Sequence, residues 1–337
     1  MTGTATPGHP AATGTGAPVP ARRGLSTRAG LIVQRTSRTA ILRAVDSDFV
    51  ARFVKRYGMR IGARRFVVGV CLEEIVPVFR DFNARGMRAT SGFFDDTAHR
   101  PEDVARLEAE YARQIDRLAD EHLDANVALK LTHLGIHVDQ DLMFEAVRRL
   151  LERAAARSMR LRIDMEESEL VQPTLDLYRR LRAAGINNIG VCLQSYLRRS
   201  EGDLAGLLPL GLSVRLVKGA YLEPAPVAYQ DKPDVDASYV RMLERSLSEA
   251  QFTAIATHDE AIIARAKGLI SELGLSNERY EFQMLYGIRR GLQRRLVAEG
   301  YPLRIAAPYG PTWFPYLMRR LAERPANVLF VLRGAFR

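Results

Sequence analysis

Reactive residues in this chain sit at the ends of short β-branched runs, and that placement limits what it can fold into. Val127-Ala128-Leu129 stops at Lys130, Leu161-Arg162-Ile163 at Asp164, Ile189 to Leu193 at Gln194, and Phe252 to Ala256 at Thr257-His258. Val214 to Val217 carries Arg215 and runs into Lys218-Gly219. Helix-length segments separate these runs. Alternation of this kind is the pattern of parallel βα units, and in a closed barrel the C-terminal strand ends share one face. Side chains spread along the sequence then converge on one mouth.

The pattern predicts an α/β chain forming a (βα)8 TIM-type barrel with extra N-terminal helices. The predicted strands are Met87–Phe93, Asn126–Leu131, Arg160–Met165, Asn188–Gln194, Ser213–Lys218, Phe252–Thr257, Tyr280–Leu285 and Leu303–Ala307. A helix over Pro101–Ala119 has proline in its first turn and Glu102-Asp103 to complement the helix dipole. Residues 46–85 read as helices packed outside the barrel, with Asp46 or Ser47 as a cap and helical apolar spacing from Leu72 to Phe82. No GxGxxG follows any strand, so a Rossmann dinucleotide site finds no support.

Residues 1–45 form a separate class of sequence. The first 20 are almost all Thr, Gly, Ala and Pro, a composition that cannot bury a core and is expected to be disordered. No acid precedes Asp46, whereas six arginines do. An acid-poor, Arg- and Ser-containing start also fits an organelle presequence, but its Pro/Gly content favours a basic bacterial tail. Residues 46–337 then make one barrel domain. The net charge of +10 suits weak attraction to a membrane surface. Nucleic acid is not expected as a partner, because no basic-aromatic motif accompanies the charge. Hydrophobic residues make up 47% of the chain, yet no apolar run reaches membrane-span length. Cys71 and Cys192 are expected to be reduced thiols, in keeping with a cytoplasmic protein.

Seven strings, in order, carry a family likeness. They are Ala128-Leu129-Lys130-Leu131-Thr132, Arg162-Ile163-Asp164-Met165-Glu166, Leu193-Gln194-Ser195-Tyr196, Arg215 to Tyr221, Ala256-Thr257-His258-Asp259, Glu281 to Gly287, and Tyr316 to Glu323. From about Ala128 to Leu332 the chain resembles the flavin-dependent proline dehydrogenases. The resemblance implies FAD as cofactor and oxidation of L-proline to 1-pyrroline-5-carboxylate by hydride transfer to flavin N5.

It also implies roles. Arg319 and Arg320, with Lys130, would clamp the substrate carboxylate, since guanidinium forks match carboxylate geometry. Glu323, four residues after Arg319 and three after Arg320, would orient a guanidinium. By itself that Arg-Arg…Glu pattern more often marks a solvated surface pair. Asp164 would contact the substrate nitrogen, though a strand-end Asp also caps helices. Arg215 would lie beside flavin N5 and favour the electron-rich reduced ring. Met165, Gln194, Arg215, Lys218, Gly219, Ala220, Thr257 and His258 would surround FAD, with Lys218-Gly219-Ala220 near phosphate. Thr257-His258 reads equally as an ordinary helix start. Tyr221, Leu285 and Tyr316 would wall the substrate ring or simply pack the core.

Two departures bear on the substrate. Ala306 stands where the family carries a tyrosine that closes the proline pocket. In Thr90-Ser91-Gly92-Phe93-Phe94-Asp95-Asp96, Asp96 occupies the place of a gating glutamate. A hydroxyproline or another bulkier cyclic amino acid is therefore the alternative substrate. A quinone or another acceptor, membrane-associated in one reading, would receive the electrons. The chain ends soon after Glu323, so a separate aldehyde dehydrogenase would take the product. A metal-dependent barrel hydrolase built on His133, His137, Asp164, His258 and Asp259 is a remote alternative, without a tight ligand motif; the family reading needs no metal.

Overall fold

Two faces of each strand have opposite chemistry, and this decides how the sheet closes. Val127, Leu129, Leu161, Ile163, Val191, Leu193, Val214 and Leu216 all belong to one apolar cluster with the helices. Residues between them must face the other way, because strand side chains alternate. A sheet with one strongly apolar face closes on itself and buries that face under helices. Each fully buried aliphatic side chain contributes about 1.5–3 kcal/mol.

The computed structural model describes the backbone of residues 63–323 and side chains as far as Met318. The predicted tail and the part of the helical region before residue 63, with Asp46 and Ser47, lie outside the described residues. Eight parallel strands form a closed barrel in chain order. They are β1 Arg88–Phe93, β2 Ala125–Leu129, β3 Leu161–Ile163, β4 Ile189–Gln194, β5 Ser213–Val217, β6 Phe252–Ala256, β7 Tyr280–Leu285 and β8 Leu303–Tyr309. The helices are α1 Leu72–Ala84, α2 Pro101–Asp120, α3 Gln140–Ala156, α4 Val171–Ala183, α5 Ser200–Leu207, α6 Lys232–Glu249, α7 Glu260–Glu272, α8 Arg290–Ala298 and α9 Trp313–Glu323.

All eight predicted strands are present. β2 and β3 end before Lys130 and Asp164, because the backbone turns there and frees those side chains from the ladder. β8 runs on to Tyr309, two residues past the predicted end. α1 packs outside the barrel across β1 and β8, as the apolar spacing from Leu72 predicts. α2 starts where expected: Pro101 occupies its first turn, and the Asp103 carboxylate accepts the Arg100 N–H at 3.2 Å. Val104, Leu107, Tyr111, Ile115 and Leu118 form its buried stripe.

The inward face is unlike the branched layers that usually fill such barrels. By register and alternation it carries Thr90, Asn126, Arg162, Arg215, Glu281, Gln283 and Arg304, interleaved with Ala128, Gly190, Ala254 and Ala306. At the N-terminal end Arg304 Nε donates to Glu281 Oε1 at 2.8 Å, and its Nη1 donates to the Ala89 carbonyl at 2.7 Å. Arg88 and Asp124 extend this ionic layer toward solvent. Gly190 leaves room for the Arg162 guanidinium: a Cβ there would lie 3.2 Å from Arg162 Nη1. Cys71 is half-buried and Cys192 buried; neither is in a disulfide.

Candidate active site

Asp164 and Arg215 meet at the C-terminal mouth. The Asp164 N–H donates to the Leu129 carbonyl at 2.9 Å, which fixes the carboxylate just past β3. Arg215, on β5, reaches past β4 and its Nη2 donates to Asp164 Oδ1. Burial opposes the Arg215 charge, but Asp164 and the nearby Cys192 thiol hold its pKa above the ordinary arginine value. Asp164 therefore pairs with a cation in the mouth. Helix capping is done elsewhere, by Asp139 on Leu142 N–H at 2.7 Å and Asp259 on Ala261 N–H at 3.1 Å.

Lys130 projects from the end of β2, and its Nζ lies 4.1 Å from the Phe94 ring centroid. That ring also stacks on Tyr316, with centroids 4.9 Å apart and planes at 29°. Phe94 thus joins the expected carboxylate lysine to the α9 residue expected to wall the substrate. Gly310 allows this approach: its φ is +127°, and a Cβ would lie 2.1 Å from the Phe94 carbonyl oxygen. Asp96 is exposed, and its N–H donates to Asp95 Oδ1 at 2.8 Å. Arg106 binds the other Asp95 oxygen at 2.9 Å. α9 reaches Glu323, but the side chains of Arg319, Arg320 and Glu323 lie outside the described residues.

The expected cofactor residues line β3 through β6. Gln194 is buried, and its Nε2 donates to the carbonyls of Met165 and Glu166 at 3.3 Å each. Its Oε1 is a buried acceptor with no hydrogen-bond partner among the described residues, as Arg215 Nε is a buried donor with none. Lys218 binds Asp236 and, at 2.9 Å, Asp259; Lys232 binds the same two carboxylates. Burial alone would raise the Asp259 pKa, but the two lysines drive it far below the usual carboxylate range. Gly219 has φ +114°, and a Cβ there would lie 2.1 Å from Tyr196 Cδ1, so only glycine lets the chain lie against that ring. Ala220 follows it in an exposed position.

Thr257 Oγ1 accepts the Asp259 N–H at 3.1 Å, so Thr257 serves the helix start as well as the mouth. His258 Nε2 accepts the Leu285 N–H at 3.0 Å and ties the ends of β6 and β7 together. Tyr221 and Leu285 are half-buried at the mouth. Ala306 is in register with Thr90 on one side and Leu285 on the other. A cavity of about 430 Å³ lies away from the Asp164–Arg215 pair, between the N-terminal halves of α6 and α7, lined by Asp236, Val240, Arg241, Asp259 and Ile262.

The residues fit a flavin ring. Gln194 Oε1 offers an acceptor for an imide N–H and Arg215 a fixed cation for an electron-rich ring, whereas Lys218 and Lys232 are already balanced by Asp236 and Asp259. The metal reading fares differently. Both ring nitrogens of His133 are engaged, by Tyr111 Oη at 2.8 Å and the Asp95 carbonyl at 3.2 Å, and His137 is exposed. Among the described residues, no three His, Cys, Asp or Glu side chains are grouped so as to hold a metal.

Several site residues escape a reading by strand ends alone. Phe94 stands one residue past β1, beside Asp95-Asp96. Glu166 is buried under Lys130 and accepts from Thr132 N–H at 3.1 Å and Thr132 Oγ1 at 2.8 Å. Burial raises its pKa, opposed by the Lys130 charge. Glu223 clamps the β5–α6 connection to Ser168, accepting its N–H at 2.8 Å and its Oγ–H at 2.6 Å. The i, i+4 spacing of Lys232 and Asp236 was the available signal for the ionic quartet.

The proline dehydrogenase family model matches residues 76–333. Proline dehydrogenase 2 of Bacillus subtilis (strain 168) is 37% identical over 288 residues, covering 86% of this chain and 95% of that protein. The proline dehydrogenase of Deinococcus radiodurans is 35% identical over 307 residues, covering 90% and 99%. Among solved structures, proline utilization A from Bdellovibrio bacteriovorus, inactivated by N-propargylglycine, superposes with a TM-score of 0.74 at 23% identity. That match covers 86% of this chain but only 36% of the longer protein, and at this identity it is a likeness of fold.

Proposed function

This chain belongs to the proline dehydrogenase family, and we propose that it oxidises L-proline to 1-pyrroline-5-carboxylate on noncovalently bound FAD. The reaction is oxidation of a CH–NH bond. FAD, when bound, supplies the two-electron acceptor for the hydride. The observation that carries the assignment is the Asp164–Arg215 pair at the barrel mouth, with Lys130 on the neighbouring strand end.

The chain's own groups divide the work. Lys130, with Arg319 and Arg320, binds the substrate carboxylate. Asp164 receives the substrate nitrogen and holds the ring in one orientation. Arg215 holds the Asp164 carboxylate in place and presents a fixed positive charge to the reacting ring system. Gln194, Met165, Lys218, Gly219, Ala220, Thr257 and His258 hold the cofactor. Tyr221, Leu285 and Tyr316 exclude water from the substrate ring, and Asp96 gates the mouth. A quinone, reached at a membrane surface, accepts the electrons, and a separate aldehyde dehydrogenase takes the product. Among the described residues no helix is long and apolar enough to cross a membrane. The two reduced-type cysteines and the net charge of +10 support a cytoplasmic protein with peripheral membrane contact.

The test is direct. Purified protein supplemented with FAD should turn yellow, and anaerobic L-proline should bleach the flavin bands. A protein that remains flavin-free after supplementation would refute the assignment.

Ala306 favours a second substrate reading, a hydroxyproline or another larger cyclic amino acid. A methyl group replaces a phenol at the pocket wall, so proline leaves space beside it. Ala306→Tyr should improve proline kcat/KM and reduce turnover of bulkier analogues, by about 1–3 kcal/mol, since pocket volume alone discriminates weakly. A steady-state comparison of proline and 4-hydroxyproline checks this. Equal impairment of both substrates would remove Ala306 from the wall.

A further inference from the structure

His133 has no part in the chemistry above, yet it is 1% exposed and uses both ring nitrogens. The Asp95 carbonyl can only accept, so His133 Nε2 carries the ring proton and Nδ1 is an acceptor. Tyr111 Oη therefore donates to His133 Nδ1 at 2.8 Å. The same phenol oxygen accepts the backbone N–H of Lys130 at 3.2 Å. Burial, reinforced by the Lys130 charge, lowers the His133 pKa to about 4, so the ring stays neutral and this tautomer persists at working pH.

The result is a directional chain: Lys130 N–H to Tyr111, Tyr111 to His133, His133 to Asp95. It joins the end of β2 to the β1–α2 connection. Phe94, immediately before Asp95, holds the Lys130 ammonium over its ring at 4.1 Å. Lys130 is thus tied to the β1–α2 connection twice, through its backbone by way of His133 and through its side chain by way of Phe94. The exposed Asp96 follows on the same connection.

We propose that His133 is a positioning residue that locks the β1–α2 connection to the substrate-binding lysine and so sets affinity for the substrate carboxylate. This rests on the proline-oxidising reading for its substrate, but the lock itself is a property of the fold. The two connections are also joined by the Ala98 N–H to the Thr132 carbonyl at 2.8 Å. Loss of His133 should therefore loosen the lock without undoing the fold.

Three single variants, His133→Leu, His133→Gln and Tyr111→Phe, and the His133→Leu/Tyr111→Phe double variant test it. His133→Leu should raise the KM for proline roughly five- to tenfold, the worth of about one lost hydrogen bond, with kcat within about twofold. Tyr111→Phe should do the same, and the double variant should be no worse than either single one, because each breaks the same chain. His133→Gln can still donate to Asp95 and accept from Tyr111, so it should restore KM. Backbone hydrogen exchange at Phe94 and Asp96 should quicken in His133→Leu and recover in His133→Gln.

Unchanged KM and unchanged exchange in a folded His133→Leu protein would overturn the proposal. So would parallel losses of kcat, KM and melting temperature that glutamine does not rescue, since those describe core packing alone. If leucine is not tolerated, Tyr111→Phe and His133→Gln carry the comparison. If the wild-type protein does not reduce flavin with proline, the functional assignment falls, and the exchange measurement still decides whether the lock exists.

Discussion

Arg215→Met is expected to slow proline-dependent flavin reduction by about 10²- to 10³-fold, the usual cost of removing a fixed charge or donor aimed at the reacting atoms. Arg215 is the cation the fold invests in most heavily at the mouth. Its side chain is 12% exposed, and it is held on Asp164 across an intervening strand. Methionine retains much of the bulk, so the loss isolates the charge. Stability should fall too, by about 1–3 kcal/mol, because Asp164 is left without its cation; at 24% exposure it retains some access to water, which keeps the cost below that of a fully buried pair. Arg215→Lys keeps the charge but not the planar fork, and should recover only part of the rate. The measurement is anaerobic stopped-flow reduction at saturating proline, with flavin content determined separately. A rate within threefold of wild type would mean that Arg215 serves architecture and not the reaction.

Much of this site was legible because strand ends are local features. A branched run followed by a turn places its next polar residue at the mouth, and Lys130, Asp164, Gln194 and Thr257-His258 all follow that rule. Arg215 lies inside β5, outside that rule, and its proposed role rests on likeness to the family. Partnerships across the barrel were not legible. Nothing local about Lys218 announces that Asp236 and Asp259 will hold it, since those acids belong to the starts of two different helices. Likewise His133 and His137 suggested ligands by proximity in sequence. The fold buries one against Tyr111 and exposes the other, because the turn after β2 faces them in different directions.

The inward polarity of the barrel was hidden for a related reason. Arg162, Glu281 and Arg304 each sit in a strand-like run, and register assigns them to the inward side. Arg162 is the most costly of the three. Burial, with Arg215 nearby, lowers its pKa to about 10, and its Nε and Nη1 have no hydrogen-bond partner among the described residues. Glu281 supplies the opposing charge that makes this arrangement tolerable. The barrel interior thus carries a charge network where most barrels carry packed branched side chains, and its stability should respond to acid accordingly.

Arg304→Met is expected to destabilise the protein by up to about 3–5 kcal/mol, the penalty for removing one partner of a buried pair; Arg88, 3.4 Å from Glu281 Oε2, keeps part of that charge balanced. Glu281 is 2% exposed at its side chain and Arg304 10%, so neither can turn to water. Adding Glu281→Gln should recover much of the loss, because the pair is worth far less than the isolated ion costs. Acid gives an independent reading. Burial pushes the Glu281 carboxyl up, but the Arg304 charge and hydrogen bond, the Gln283 amide and the Arg162 charge more than reverse this, leaving it below the ordinary glutamate value. A carboxyl depressed in the folded state contributes stability that is complete above its unfolded pKa, about 4.3, and is lost as pH falls through the folded value. Wild type should therefore lose melting temperature below about pH 4 more steeply than the Arg304→Met/Glu281→Gln double variant. The pair lies at the N-terminal end of the barrel, opposite the chemistry, so the double variant's kcat/KM should stay within about threefold of wild type. Identical acid slopes for the two proteins would show that Glu281 carries no linked proton, and that the layer is held by packing after all.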